Sequence, residues 1–115
     1  MDAYLKQQLR QVVTVATPTG ALDAAGQAVV GSTATFPCRY ECSFREVPIY
    51  GGVEERTMHF LVLDETFNLT PVQARNALFW LPGFDATDAT LARRAKVVEY
   101  LPDENGVIDH VEVTL

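Results

Sequence analysis

The sequence predicts a mainly β fold: a small antiparallel β-barrel of about six strands with long loops and one or two short helical pieces. Three observations lead there. Residues 34–44 alternate without a break, with Phe36, Cys38, Tyr40, Cys42 and Phe44 on one face and Thr35, Pro37, Arg39, Glu41 and Ser43 on the other. Residues 92–101 and 107–115 are two β-compatible runs separated by Pro102-Asp103-Glu104-Asn105-Gly106, and an Asn-Gly pair suits a hairpin turn that needs positive φ. Helix signals, by contrast, are confined to one or two short pieces. Closure into a barrel would remove the exposed edges of so small a sheet, and 115 residues leave room for a single domain, residues 1–115.

In chain order, residues 1–9 carry Tyr4, Leu5 and Leu9, which suit either one helical turn or an N-terminal arm lying on a neighbour. Residues 10–16 are dense in β-branched side chains and form the first expected strand. Residues 17–33 turn to Pro18, glycines, alanines and hydroxyls, the composition of a long loop or loose hairpin. The strand at 34–44 follows, with Pro37 expected near an edge or bulge because it cannot donate to a ladder. Residues 45–56 read as a second long loop or an extended hairpin tip bent at Gly51-Gly52. Residues 57–63 are a strand apolar on both faces. Thr70-Pro71-Val72-Gln73 combines an N-cap, a proline at the first helical position and a capping-box glutamine, so a helical turn should run to about Asn76. A strand at 77–81 is stopped by Pro82-Gly83, and a loop at 84–90 leads to the terminal hairpin.

The composition excludes several classes of function. An apolar fraction of 48% is that of a globular chain. No apolar run approaches the roughly 20 residues of a membrane helix, and the first residues lack the charged head and apolar block of a secretory signal, so a soluble, cytoplasmic chain is expected. A formal charge of -6 disfavours ordinary nucleic-acid binding, which depends on Lys and Arg neutralising phosphates.

Chemistry-bearing residues are few. Cys38 and Cys42 lie four apart on one strand face, about 13 Å by strand rise, beyond the roughly 7 Å that a disulfide spans. Both read as small buried thiols. His59 and His110 sit in strands, and Asp109 should point away from its neighbour His110. Asp85, Asp88, Asp103 and Glu104 match no calcium loop and read as turn acids. Phosphate-loop, nucleophile-elbow and cofactor-lysine motifs are not found. The expectation is a protein without catalytic residues, cofactor or metal, working by contact through the loops of a β framework that leaves Ile49, Tyr50 and Phe84 exposed.

Taken together, the alternating strand at 34–44, Gly51-Gly52-Val53-Glu54-Glu55-Arg56-Thr57, Leu78-Phe79-Trp80-Leu81-Pro82-Gly83, the strand from Arg93-Arg94 to Val98, and the run from Asp103 to Val113 resemble the head-completion (head-closure or stopper) proteins of tailed double-stranded DNA phages. The resemblance spans roughly residues 9–115. It implies a β-barrel assembling into a ring, dodecameric in such proteins, beneath the portal and adaptor and above the tail. Such a ring lies in the virion neck, is assembled in the host bacterial cytoplasm, and passes double-stranded DNA without sequence-specific binding or membrane contact. It also implies a channel-gating loop, which by position falls on Arg45, Glu46, Val47, Pro48, Ile49, Tyr50, Gly51, Gly52, Val53, Glu54, Glu55 and Arg56. Contacts between subunits are then expected at Tyr4, Leu5, Pro18, Leu22 and Phe84. A tail-terminator ring and a monomeric β-barrel binding module are the alternatives.

Overall fold

Val13 and Val15, Phe36 and Cys38, and Leu61 and Leu63 each place two apolar side chains on the same side of an extended backbone, which lets neighbouring strands bury a common face. The computed structural model describes residues 1–22, 24–26 and 28–115. Its elements are α1 (Ala3–Lys6), β1 (Gln11–Leu22), β2 (Ala28–Ile49), β3 (Gly52–Asp64), α2 (Pro71–Asn76), β4 (Leu78–Trp80), β5 (Val97–Pro102) and β6 (Ile108–Thr114), with a 3-10 turn at Ala89–Leu91. The strands form one six-stranded sheet in the order β4-β1-β2-β3-β6-β5, and every pairing in it is antiparallel.

The expected mainly β architecture is therefore present, but the barrel needs correction: no ladder joins β4 to β5, so the sheet is open. The reason lies in residues 92–96, expected to belong to the penultimate strand. They divide their backbone between the two edges. Arg93 makes an isolated bridge to Phe79 through hydrogen bonds of 2.7 and 2.8 Å, whereas Lys96 N–H already donates to the Thr114 carbonyl at 2.7 Å. With only one residue pair at the β4 edge, regular pairing begins at Val97.

The open sheet nevertheless curls around one core. Phe79 from one edge strand and Val98 and Tyr100 from the other belong to the same cluster as Val13, Phe36, Leu61, Val111 and Leu115. Phe67 sits across its mouth, with ring centroids 5.1 Å from Phe36, 6.4 Å from Phe79 and 6.5 Å from Tyr100. Just upstream, the nearly buried Asp64 carboxylate accepts from the Thr66 backbone and hydroxyl, which holds the turn that delivers Phe67. Helix α2 closes the same end through Ala74 and Ala77. Its start is the capping box expected from sequence: Thr70 Oγ1 accepts from Gln73 N–H and the Gln73 side chain accepts from Thr70 N–H. The Tyr100 hydroxyl donates to the Leu69 carbonyl at 2.7 Å and ties β5 to the helix entry.

Of the loop and hairpin alternatives for the two long segments, the structure has the hairpin in each. Residues 17–22 and 28–33 extend β1 and β2, with Pro18 opposite Val30 and Leu22 opposite Ala28; the part of that expectation at Asp23 and Gln27 lies outside the described residues. Proline is tolerated because the β1–β2 register shifts on both sides of Pro18. Gly31 is required there, since a Cβ would stand 2.8 Å from the Thr17 carbonyl oxygen. Residues 45–56 likewise form ladder, running unbroken from Cys38↔Leu63 to Ile49↔Gly52. Small and polar residues suggested loops because single-strand composition does not register backbone pairing. Pro37 sits just beyond the first β2–β3 pair, as a residue lacking a donor requires.

Candidate functional site

The β2–β3 hairpin outruns the rest of the sheet. The pairing of β3 with β6 ends at Phe60↔Thr114, with one further hydrogen bond from Leu115 N–H to the His59 carbonyl, and beyond it the ladder continues between β2 and β3 alone. From Phe44 to Thr57 no side chain is buried, and only Val47 is half-covered. A two-stranded arm of about 20 Å (six residues at ~3.3 Å each) projects from the body. Its tip is Tyr50-Gly51, where Gly51 carries a φ of 89° that other residues rarely adopt and Tyr50 stands fully exposed. The twelve residues expected to gate a channel are thus this arm.

Register sorts their side chains onto two faces. Cross-strand partners share a face, so the core side of the sheet continues outward as Phe44↔Thr57, Glu46↔Glu55 and Pro48↔Val53; the opposite side carries Arg45↔Arg56, Val47↔Glu54 and Ile49↔Gly52. Each face therefore sets two like charges directly opposite one another, a destabilising arrangement. Arg56 reaches Glu54 at 3.0 Å, whereas Arg45, Glu46 and Glu55 have no ion pair among the described residues. Phe44 is 69% and Val53 63% exposed, and Ile49 is also exposed. Isolated two-stranded hairpins are marginal in water, so such an arm adds little to stability and presents most of its side chains for contact.

The expected subunit contacts are scattered. Tyr4 and Leu5 lie on α1, which docks on its own chain rather than reaching away. The Met1 ammonium lies 2.9 Å from Asp109 and 3.2 Å from Glu65, Lys6 pairs with Glu65, and Arg39 donates to Gln8. Leu5 and Leu9 share a hollow of about 140 Å³ with Arg39, Val62 and His110. Tyr4 itself remains 71% exposed. Pro18 is half-buried in the β1 irregularity, and Phe84 is exposed after the Gly83 turn. Leu22 ends β1, and the contact expected of its side chain lies outside what the structure describes.

Two readings of the chemistry change. His110 and Asp109 do meet, Nδ1 to Oδ2 at 2.8 Å, with Glu112 at 3.6 Å from Nε2. Neighbours on a strand point to opposite faces, but the short Asp109 side chain turns along the strand, drawn also by the Met1 ammonium. These donors, the ammonium first, hold the Asp109 carboxyl below its usual range. The cluster is an ion network. Cys38 is buried, and burial pushes its thiol up to about 11, but Cys42 is exposed rather than buried because it lies past the end of the core. Opposite Cys42, His59 accepts or donates a 2.6 Å hydrogen bond with the Tyr40 hydroxyl and stacks on its ring; burial, then Arg93 and Lys96, depress its basicity. Asp85, Asp88 and Asp103 accept from backbone N–H groups two residues on, as turn acids do.

Sequence reasoning missed a basic cleft beside α2. Arg75, Arg93, Arg94 and Lys96 are all exposed and make no ion pair among the described residues. Arg75 and Lys96 come together with Pro71, Ala95 and Val98 around a cleft of about 300 Å³. Lys96 and Arg75 are distant in sequence, and their approach depends on α2 packing beside the segment leading into β5. Among the described residues no group of three metal-ligating side chains gathers, and no helix is long and apolar enough to cross a membrane. No known protein-family model matches the chain, and a search of curated proteins finds no significant relative.

Proposed function

We propose that the chain is a structural protein of the neck of a tailed double-stranded DNA phage. It works by contact: copies form a ring between the portal or adaptor and the tail, and the β2–β3 arm helps close the DNA channel. The observation that carries this reading is the arm, a long exposed hairpin at the position where the resemblance puts a gating element, on a body that has its own core. The charge of -6 supports it, because a channel through which DNA slides benefits from offering few phosphate clamps.

The test is cryo-microscopy of phage particles together with excision of residues 45–56, bridging Phe44 to Thr57 with a short turn. The expected result is density for the chain between portal and tail, and excised particles that lose DNA or fail to join tails. Intact, infectious particles from the excision would sink the channel role. Density against the tail tube alone would make the chain a tail-terminator ring, and its absence from purified particles would overturn the neck assignment.

A further inference from the structure

We propose that the core-side face of the β2–β3 arm docks onto the basic cleft of a second copy of this chain. The inference deepens the ring reading and rests on it. The arm face presents Glu46 and Glu55 directly opposed, flanked by exposed Phe44 and Val53 and by Pro48. Neither carboxylate has an ion-pair partner within the chain, and each raises the cost of the other. The receiving surface has the opposite character. Arg75 and Lys96 stand at a cleft of about 300 Å³ lined also by Pro71, Ala95 and Val98, and neither cation is ion-paired among the described residues.

Charge complementarity names the occupant. Net charge is -6, so two unpaired cations at one cleft leave the remaining surface more acidic still, and a second copy brings the acidic arm face to them. Docking would relieve like-charge repulsion on both surfaces at once and cover apolar area that is otherwise wet. The two surfaces are different, so the contact is head-to-tail. Such a contact repeats from copy to copy and closes into a ring when the rotation allows, whereas a self-complementary patch would stop at a pair.

The experiment measures mass in solution against concentration and salt for the full chain, for E46K/E55K, for R75E/K96E, and for an equimolar mixture of the two variants. All substituted side chains are exposed, and circular dichroism checks that each variant is folded. The wild-type chain should self-associate at low salt and dissociate as salt rises. Each variant alone should weaken association by roughly tenfold or more, since it sets like charges against each other. The mixture should recover association, because each variant supplies the surface that the other now fits. A wild type that stays monomeric at low salt, variants that associate like wild type, or a mixture no better than its components would each overturn the contact. The ring reading is judged separately, by density in particles: a ring whose arms touch no basic cleft would refute this contact and leave the neck assignment standing.

Discussion

Cys38↔Leu63 and Pro48↔Val53 belong to one ladder, yet the first pair lies in the core and the second in open solvent. What differs is the company the strands keep. Near Leu63, β2 and β3 are flanked by β1 and β6, their inward side chains meet Phe36, Phe79 and Val111, and burying each large apolar side chain contributes ~1.5–3 kcal/mol. Beyond Phe60 the ladder to β6 has ended, and from Phe44↔Thr57 outward the same hydrogen-bonding pattern continues with no side chain buried on it. The body holds the fold; the arm inherits its direction from the body and is free to carry charges and aromatics that a core would reject.

This contrast can be broken by measurement. The largest effect is expected in the body: Phe79→Ala, which removes a fully buried ring packed against Phe67 in the core, should lose ~3–5 kcal/mol in denaturant unfolding. A loss comparable to that of a surface site would mean that the sheet does not share one core.

The docking of α1 is an intermediate case, held by charge on an exposed surface. Hydrogen bonding from Lys6, with help from the Met1 ammonium, lowers the Glu65 carboxyl from 4.5 to about 2. A depressed carboxylate contributes stability that is fully present above its unfolded value and lost as pH falls through the folded one. The protection of α1 amides relative to their intrinsic exchange should therefore fall between about pH 4.5 and 2 while the β1–β3 amides stay protected. Simultaneous loss of both sets of protection would make α1 part of the cooperative body.

On the arm, Ile49→Ser should change stability by no more than ~0.5 kcal/mol, as for a surface position with no packed neighbours. A thiol reagent draws the boundary between the two regions without disturbing either. Cys42 should label in the native protein, whereas the buried Cys38, its thiol pushed up to about 11, should label only on unfolding. Equal labelling rates would place the end of the core elsewhere.

How much of this was legible in the residues varies with the range of the interaction. The α2 start was, because a capping box acts between Thr70 and Gln73. So was the terminal hairpin: Gly106 takes the positive φ, at 80°, and Asp103 caps the turn by accepting from Asn105 and Val107. The alternation of residues 34–44 gave the correct inward face. The candidate contacts were less legible. Ile49, Tyr50 and Phe84 were read as exposed and are, but the opposition of Glu46 to Glu55 and of Arg45 to Arg56 needs the hairpin register, which follows from where the turn falls.

The sequence by itself determined the mainly β class, the helix at α2, the acidic surface and the inward face of the central strands, all of which follow from alternation, capping and composition over a few residues. Only the tertiary structure decided that residues 17–22 and 28–33, and residues 45–56, pair as hairpins rather than loops, that the sheet stays open between β4 and β5, that Asp109 meets His110, and that Arg75 approaches Lys96. Each of these depends on which distant backbone supplies a hydrogen bond or a surface to pack against, and a strand's own side chains do not specify that neighbour.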